Sequence, residues 1–258
     1  MAPKRKFGLL GHPLGHSFSR QFHNDRFAQL GIDAEYENFD MEDIAQLPAM
    51  LQNQPTLCGL NVTIPYKQAV MQFLDALDPL AERIGAVNVV RVEHLTDASV
   101  PTRVPGVRLT GYNSDIVGFT ESLRPMLQGT ERRALVLGTG GASRAVFVAL
   151  QELGIEPVYV SRTAAPGRLT YADLTPQVMQ QHLVIVNCTP LGMFPKVDAC
   201  PDLPYELLTP QHICFDCVYN PAETLFMKRS AAQGAQTKCG YDMLVGQAIE
   251  SYRIWTNQ

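Results

Sequence analysis

Short apolar runs alternate with amphipathic segments along the chain, and this alternation predicts an α/β protein. In the first half, the predicted strands are residues 7–10, 34–39, 57–64 and 87–92, and the predicted helices are residues 19–30 and 41–51. Strands that alternate with helices pair mainly in parallel, because each helix carries the chain back to the same end of the sheet. We therefore expect a mainly parallel sheet in this half.

The first predicted helix has boundary signals of its own. Ser19 belongs to a residue type that is favoured at the N-cap, and Gly31 follows the last apolar position, where helices commonly end. The apolar residues Phe22, Phe27 and Leu30 are expected to face inward.

A second succession of elements follows residues 96–108, a segment with two prolines and a glycine that we predict to be a surface loop or hairpin. The predicted strands are residues 134–137, 157–160, 183–186 and 213–215, and the predicted helices are residues 116–127, 142–153 and 242–255. The chain is therefore expected to divide near Asp115 into two α/β domains.

Charge and hydropathy restrict the partners that the protein can have. A net charge of −4 gives no global attraction to nucleic acids or anionic membranes. No apolar run approaches the roughly 20 residues of a membrane span, and the N-terminus lacks the apolar core of a signal peptide. We expect a cytoplasmic protein that binds a small molecule, without a nucleic-acid or membrane partner.

Two of the six scattered cysteines have a spacing that deserves separate treatment. Cys214 and Cys217 resemble half of a metal or redox site, but the sequence offers no second pair for it. Their apolar neighbours are typical of a buried strand. We favour that structural interpretation and predict no metal.

A glycine cluster follows the first strand of the second half and opens a helix. It reads Gly138-Thr139-Gly140-Gly141-Ala142-Ser143-Arg144. Glycines at these places allow a tight turn and the close approach of a pyrophosphate, which the N–H groups and dipole of the helix N-terminus attract. In this strand–turn–helix context we predict dinucleotide binding, although a simple tight turn would use glycines too.

The end of the next strand indicates which dinucleotide is bound. NAD enzymes commonly place an acidic residue about 20 residues beyond the glycines, where it binds the ribose 2′-hydroxyl. Ser161, Arg162 and Thr163 stand there instead. A guanidinium can fork onto a 2′-phosphate, so we predict NADP; the alternative is a solvated surface arginine.

Polar residues also cluster at predicted element ends in the first half. Asn61 and Thr63 lie two apart at the end of a strand and so share one face. Lys67 follows one turn later, Asn88 follows Gly-Ala-Val, and Asp115 precedes a helix. Taken alone, Lys67 is typical of a solvated lysine, and Asp115 would serve equally well as an N-cap.

Taken together, these motifs resemble the shikimate dehydrogenase family over nearly the whole chain and in the family's order. The chain matches nine family patterns. They are G-x-P-x-x-H-S-x-S at residues 11–19, N-V-T-x-P-[FY]-K at 61–67, G-A-V-N at 85–88, G-x-N-[TS]-D at 111–115, G-x-G-G-A-S-R at 138–144, N-R-T at 161–163, N-x-T-P-x-G-M at 187–193, D-x-x-Y at 216–219 and G-x-x-M-L-x-x-Q at 240–247. Ser161 replaces the usual asparagine, and residues 164–181 are shorter than in the family. Any one motif is weak, but nine in order are specific.

The resemblance implies a fold. It implies an N-terminal α/β substrate domain over residues 1–114, completed by residues 240–258, because the C-terminal helix of the family returns to the first domain. Residues 115–239 would form a Rossmann-like NADP-binding domain. Family members are monomers or homodimers, so both states are expected.

The resemblance also implies residue roles. Substrate binding is assigned to Ser17, Ser19, Asn61, Thr63, Asn88, Tyr219 and Gln247, with the two serines on the substrate carboxylate. NADP binding is assigned to Gly138, Thr139, Gly140, Gly141, Ala142, Ser161, Arg162, Thr163, Thr189, Cys217 and Gly240. Lys67 and Asp115 are the expected catalytic pair, in the reversible reduction of 3-dehydroshikimate to shikimate.

The chemistry of that pair is coherent. Reduction of a ketone places negative charge on its oxygen, which an ammonium can stabilise and protonate while a carboxylate orients it. Which of the two transfers the proton stays open at this point. Three alternatives also stay open: a quinate/shikimate dehydrogenase with NAD preference, a non-catalytic dinucleotide-binding paralogue, and a folate-pathway dehydrogenase of similar plan. Arg162 argues against NAD, and the presence of both Lys67 and Asp115 argues against the non-catalytic paralogue.

Overall fold

The chain folds into two compact units, each built around one sheet. The computed structural model describes residues 4–15, 17–97 and 99–257. His16, part of the predicted serine motif, lies outside the described residues. The first unit is Met1–Ser114 with Ala248–Gln258, and the second is Asp115–Gln247.

The first unit contains a mixed, mostly parallel sheet. Its strands are β1 (Arg5–Gly11), β2 (Ala34–Asp40), β3 (Leu57–Val62), β4 (Ala76–Leu77), β5 (Val89–His94) and β6 (Val107–Tyr112), in the order β2-β1-β3-β5-β6-β4. Only β5 is antiparallel to its neighbours, β3 and β6. The predicted 96–108 loop is thus a connection that ends in β6, and β4 and β6 are strands that the sequence pattern missed.

Three helices accompany this sheet: α1 (Phe18–Gln29), α2 (Leu47–Gln52) and α3 (Pro79–Ile84). The predicted start of α1 is wrong by two residues, because the hydroxyl of Ser17 accepts the Arg20 N–H and makes Ser17 the N-cap. Ser19 therefore lies inside the first turn. Leu30 does not face inward, since it is 57% exposed beyond the helix end; His23 is buried instead.

The second unit has a fully parallel sheet with helices between its strands. Its strands are β7 (Arg133–Leu137), β8 (Glu156–Ser161), β9 (Arg168–Thr170), β10 (Val184–Asn187), β11 (Ile213–Asp216) and β12 (Gln236–Cys239), in the order β12-β11-β10-β7-β8-β9. The helices are α4 (Asp115–Leu123), α5 (Gly141–Glu152), α6 (Pro176–Gln181), α7 (Leu225–Ala231) and α8 (Tyr241–Thr256). This strand order confirms the predicted Rossmann-like α/β fold.

The last helix contributes to both units. Residues up to Gln247 belong to the second unit, and residues from Ala248 onward belong to the first. Within the first unit, Trp255 stacks on Phe7 at 4.9 Å between ring centroids, and its Nε1 donates to the Val90 carbonyl at 3.1 Å. The C-terminal end of α8 is therefore an integral part of the first unit's core.

The cysteines are all free thiols. Cys214 lies in β11 with no exposed surface, as the strand interpretation predicts, and Cys217 follows the end of that strand. Among the described residues, no group of three or more histidine, cysteine or acidic side chains could hold a metal ion. None of the described helices has the length and apolar character that a membrane crossing requires.

Candidate active site

Four predicted motifs meet at one edge of the first sheet. The carboxyl ends of β1, β3 and β6 lie there together with the start of β5, because β5 runs antiparallel to its neighbours. Backbone hydrogen bonds join the motifs at this edge: Thr63 N to Leu10 O at 2.9 Å, Val87 N to Lys67 O at 2.7 Å, and Asn88 N to Tyr112 O at 3.1 Å. The edge thus has a fixed backbone frame.

The loop that carries the two serines is anchored at the same edge. The Asp40 carboxylate accepts hydrogen bonds from the Leu14 N–H at 2.9 Å and from the His12 ring at 2.7 Å, and both lower the pKa of Asp40. Ser17 lies just before the first turn of α1 and Ser19 lies within that turn, and both residues are half-buried. Hydroxyl groups at a helix N-terminus suit an anionic group such as a carboxylate.

A chain of buried hydrogen bonds links the two predicted asparagines. Asn61 Nδ2 donates to Ser251 Oγ at 2.8 Å, and the hydroxyls of Ser251 and Ser114 lie 3.1 Å apart. Asn88 Oδ1 accepts from the Ser114 N–H at 2.7 Å, and Asn88 Nδ2 donates to Ser114 Oγ at 3.1 Å. Both amide side chains are therefore held in defined orientations.

Lys67 lies in the turn that follows β3. Its side chain is half-buried, and its carbonyl accepts from Val87 N at 2.7 Å. The neighbouring Tyr66 is buried and donates its hydroxyl to the Met41 carbonyl at 2.6 Å. Thr63 begins the turn, and its backbone carbonyl accepts a hydrogen bond from Tyr66 N at 2.8 Å. The backbone of Lys67 is thus held on both sides of its position in sequence.

Helix α1 contains a buried histidine that no motif singled out. His23 is fully buried, and neither ring nitrogen has a hydrogen-bond partner among the described residues. Its ring stacks on Tyr36 with centroids 4.6 Å apart. Burial, with a smaller contribution from the Arg26 charge, lowers the pKa of His23 to about 3. The imidazole is therefore neutral in the folded protein at physiological pH.

This histidine gives the first unit a measurable sensitivity to acid. An unfolded histidine has a pKa near 6.5, so between about pH 6.5 and 3 the unfolded chain binds a proton that the folded chain does not. The free energy of unfolding should then fall as the pH falls, by about 1.4 kcal/mol per pH unit well inside that window. In His23→Phe this loss should disappear, because phenylalanine cannot be protonated.

Urea unfolding of both proteins at pH 7.5 and pH 5.5 measures the effect. The stability loss on acidification should be smaller in the variant by about 1.4 kcal/mol. Asp216, whose pKa burial raises to about 6, acts in the opposite direction, but it is present in both proteins and cancels in the comparison. An identical pH dependence in the two proteins would contradict the assignment.

In the second unit, the glycine turn has the geometry of a phosphate-binding turn. Gly138 has a φ of +98°, which only glycine adopts readily, and its N–H donates to the Val160 carbonyl at 2.9 Å. Gly140 is the N-cap of α5, and a Cβ added there would meet open space. The Ser143 hydroxyl donates back to the Gly140 carbonyl at 2.6 Å. The first turn of α5, with Gly141 and Ala142, therefore offers backbone N–H groups beside open space.

Arg162 lies at the edge of the second sheet that is formed by the carboxyl ends of its strands. It follows the end of β8, the strand paired in parallel with β7, so it lies at the same edge as the glycine turn. The side chain is exposed, as are those of Thr139 and Thr163. Ser161 donates its hydroxyl to the Thr163 carbonyl and thereby shapes this turn. The edge therefore presents a cation beside the predicted phosphate site.

Thr189 lies at the point where the strand order reverses. From β7 the chain proceeds to β8 on one side, whereas β10 lies on the other, and ligands of such sheets bind at this switch point. A Cβ added to Gly138 would lie 3.1 Å from Thr189 Cγ2. Asn187 Oδ1 accepts from Thr189 N at 3.0 Å and from its hydroxyl at 2.7 Å, and Asn187 Nδ2 donates to Asp216 at 2.9 Å.

Two further predicted cofactor residues lie at the same edge. Gly240 follows β12, and a side chain there would collide with the Cys217 carbonyl, so the close approach of these two backbones requires glycine. The Cys217 and Cys188 sulfur atoms are 3.7 Å apart. This thiol contact, followed by burial, raises the pKa of Cys217.

The remaining predicted residues belong to the second unit. Asp115 is the first residue of α4 rather than the residue before it, and it is 6% exposed. Tyr219 is exposed beyond the end of β11. Gln247 lies in α8 and donates to the Leu244 carbonyl at 2.8 Å. Their assignment to substrate or catalysis stays a prediction.

The structure therefore gathers the predicted residues in two sets. Ser17, Ser19, Asn61, Thr63, Lys67 and Asn88 belong to the edge of the first sheet, and the glycine turn, Ser161–Thr163, Thr189, Cys217 and Gly240 belong to the edge of the second. Sequence reasoning missed five residues that hold members of these sets, namely Tyr36, Ser114, Ser251, Asn187 and Asp216. Ser114, Asn187 and Asp216 lie inside the matched motifs, and these motifs are the sequence signal that could have found them.

A parallel sheet with a glycine turn at its switch point, preceded by an α/β unit with a polar sheet edge, defines the class of two-unit dinucleotide-binding dehydrogenases. Residues 9–90 match the family model described as the shikimate dehydrogenase substrate binding domain. The chain is 34% identical to the shikimate dehydrogenase (NADP+) of Desulforamulus reducens, over 96% of this chain and 89% of the relative. The chain belongs to the shikimate dehydrogenase family.

Solved structures agree with this assignment. The shikimate 5-dehydrogenase of Thermus thermophilus in complex with NADP(H) and shikimate superposes with a TM-score of 0.82 at 33% identity, over 98% of this chain and 94% of that one. The quinate dehydrogenase of Corynebacterium glutamicum in complex with NAD gives a TM-score of 0.83 at 26% identity, over 99% and 94%. The fold is therefore common to both activities, and the distinction between them must come from the site.

Proposed function

We propose that this protein catalyses the reversible, NADP-dependent reduction of 3-dehydroshikimate to shikimate. The observation that carries the proposal is the gathering of hydroxyl, amide and ammonium groups at one sheet edge of the first unit. A substrate with a carboxylate, several ring hydroxyls and one reacting oxygen needs groups of these kinds. Membership of the family supplies the reaction class.

The residues of the first unit divide this work by their chemistry. Ser17 and Ser19 lie at the start of α1 and bind the carboxylate, which explains how a chain of net charge −4 can bind an acid. Asn61, Thr63 and Asn88 bind the ring hydroxyls, and Tyr219 and Gln247 are proposed as further substrate-binding residues. Amide groups suit hydroxyls because they both donate and accept hydrogen bonds.

Lys67 and Asp115 are proposed as the catalytic pair. The Lys67 ammonium stabilises the negative charge that develops on the ketone oxygen, and the Asp115 carboxylate keeps the proton exchange oriented. The bound nicotinamide supplies the hydride. The half-buried position of Lys67 favours the role, because partial desolvation strengthens the interaction of its charge with a developing oxyanion.

The residues present fit an NADP molecule. The open space beside Gly140 admits a pyrophosphate against the first turn of α5. Arg162 supplies a guanidinium for the 2′-phosphate, and the turn offers no acidic side chain to bind a 2′-hydroxyl. Thr189 and Gly240 line the remainder of the same edge.

The test is a nicotinamide absorbance assay of the purified protein with shikimate, comparing NADP with NAD. We expect a rise with NADP that is much faster than with NAD. Faster reduction of NAD would keep the chemistry and overturn the choice of cofactor. Activity with quinate in place of shikimate would identify a quinate dehydrogenase, and no reduction in any combination would reject the enzymatic function altogether.

A further inference from the structure

A continuous chain of side-chain hydrogen bonds runs behind the proposed substrate residues. It begins at Tyr36, whose hydroxyl donates to Asn61 Oδ1 at 2.8 Å. It continues from Asn61 through Ser251 to Ser114 and ends on Asn88. Asn61 and Asn88 are proposed ligands, whereas Tyr36, Ser251 and Ser114 have no assigned role.

The chain and one backbone carbonyl together orient the Asn61 amide. Its carbonyl oxygen accepts from the Tyr36 hydroxyl at 2.8 Å, and its nitrogen donates to Ser251 Oγ at 2.8 Å and to the Asn88 backbone carbonyl at 3.4 Å. A backbone carbonyl can only accept, so a flip of the amide would set two oxygens against each other and lose that bond. Asn61 is 5% exposed and Ser251 is fully buried, so water does not readily replace those bonds.

Tyr36 is well suited to define the starting point of this chain. Its ring is 1% exposed and is held by stacking against His23, so the hydroxyl has little freedom to move. Burial raises the pKa of Tyr36 well above its usual value, although the Ser19 hydrogen bond opposes the shift. The hydroxyl therefore keeps its proton and remains a donor to Asn61.

The second asparagine is oriented in the same way from the other end. Asn88 Oδ1 accepts the Ser114 backbone N–H at 2.7 Å, which fixes the oxygen side of that amide. Ser114 Oγ accepts from Asn88 Nδ2 at 3.1 Å and lies 3.1 Å from Ser251 Oγ. Ser251, on α8, thus bonds to Asn61 directly and contacts Ser114, the residue that orients Asn88.

We propose that Tyr36, Ser114 and Ser251 are positioning residues that set the donor and acceptor pattern which Asn61 and Asn88 present to the ring hydroxyls of the substrate. The inference rests on the proposed function, because it presupposes that these amides bind shikimate. Binding through preoriented amides avoids the entropy cost of ordering them when substrate arrives. Loss of one partner should therefore weaken substrate binding rather than abolish the chemistry.

The test uses Tyr36→Phe and Ser251→Ala, each of which removes one hydroxyl and keeps the remaining side chain. We expect the KM for shikimate to rise about tenfold in each, with kcat and the KM for NADP changed by less than about threefold, as the loss of one hydrogen-bonded partner implies. The double variant should raise the KM by less than the product of the single effects, because both changes release the same Asn61 amide.

Matched controls separate positioning from simple loss of stability. Tyr205→Phe removes a buried tyrosine hydroxyl bond to the Pro201 carbonyl at 2.9 Å, and Ser230→Ala removes a buried serine bond to the Phe226 carbonyl at 2.8 Å. Both belong to the second unit, whereas Asn61 belongs to the first. They should lower the Tm about as much as the test variants do, with the KM for shikimate unchanged.

The outcomes separate this inference from the function on which it rests. A wild-type protein that does not oxidise shikimate would reject the proposed function. An active wild type with an unchanged KM in Ser251→Ala and Tyr36→Phe would overturn the positioning role alone. If Tyr36→Phe fails to fold, Ser251→Ala decides the question by itself, because its KM either rises selectively or does not.

Discussion

Replacement of Lys67 by alanine should lower kcat for shikimate oxidation by about a thousandfold, the middle of the range for loss of a general acid–base group. The ammonium is the group proposed to stabilise the developing oxyanion, and alanine offers neither its charge nor its proton. The KM for shikimate should change much less, because the carboxylate and ring hydroxyls are bound by other residues. Steady-state kinetics with NADP measure both constants.

The fold should survive this substitution. The backbone carbonyl of Lys67 accepts from Val87 N at 2.7 Å, and alanine retains this bond. Lys6→Ala is the matched control. Lys6 belongs to the same unit, lies in β1, and forms an ion pair with Glu37 at 3.1 Å. This variant removes the same charge away from the polar edge. Near-normal kcat in Lys67→Ala would exclude Lys67 from the chemistry.

Much of the fold follows from periodicity, but the elements that depend on distant partners do not. The strand–helix succession predicted the α/β class, and the family resemblance implied the Rossmann-like unit; both are confirmed. The strand β6 was missed because Pro101, Pro105 and Gly106 directly before it indicate a loop, and the strand exists through its antiparallel pairing with β5. The strand β4 has two residues, too few for any period to be visible.

The start of α1 illustrates a different limit of local patterns. Ser17 and Ser19 are both favoured N-cap residues, and nothing in the local sequence separates them. In the structure the Ser17 hydroxyl lies 3.2 Å from the Arg20 N–H and accepts its hydrogen bond, so Ser17 is the N-cap. Ser19 therefore lies inside the first turn of α1, a placement that the motif alone could not predict.

The candidate site divides in the same way. Motifs at strand ends predicted the polar edges, because parallel strands bring their carboxyl ends to one side of a sheet. Ser251 could not be found like this, since it contacts Asn61 from 190 positions away and belongs to no motif. The family and the NADP dependence of its members are confirmed, whereas the residue roles, the cytoplasmic location and the monomer or homodimer stay predictions.

Arg162 should decide between the two dinucleotides. A guanidinium bonded to a phosphate contributes about 1.5–3 kcal/mol, so Arg162→Ala should raise the KM for NADP by about 10–100-fold. The kinetics with NAD should hardly change, because NAD has no 2′-phosphate for the guanidinium to bind. The ratio of kcat/KM for NADP to that for NAD is therefore the quantity to measure.

The structure supports a selective effect. Arg162 is exposed at the end of β8, beside the turn whose Gly138 N–H donates to the Val160 carbonyl, so its loss leaves the sheet intact. Arg229→Ala is the control: Arg229, on α7, is also exposed, and its guanidinium lies 5.5 Å from the centroid of the Tyr205 ring. It should alter neither cofactor's kinetics. Equal losses with NADP and NAD in Arg162→Ala would mean that the arginine shapes the turn and does not recognise the 2′-phosphate.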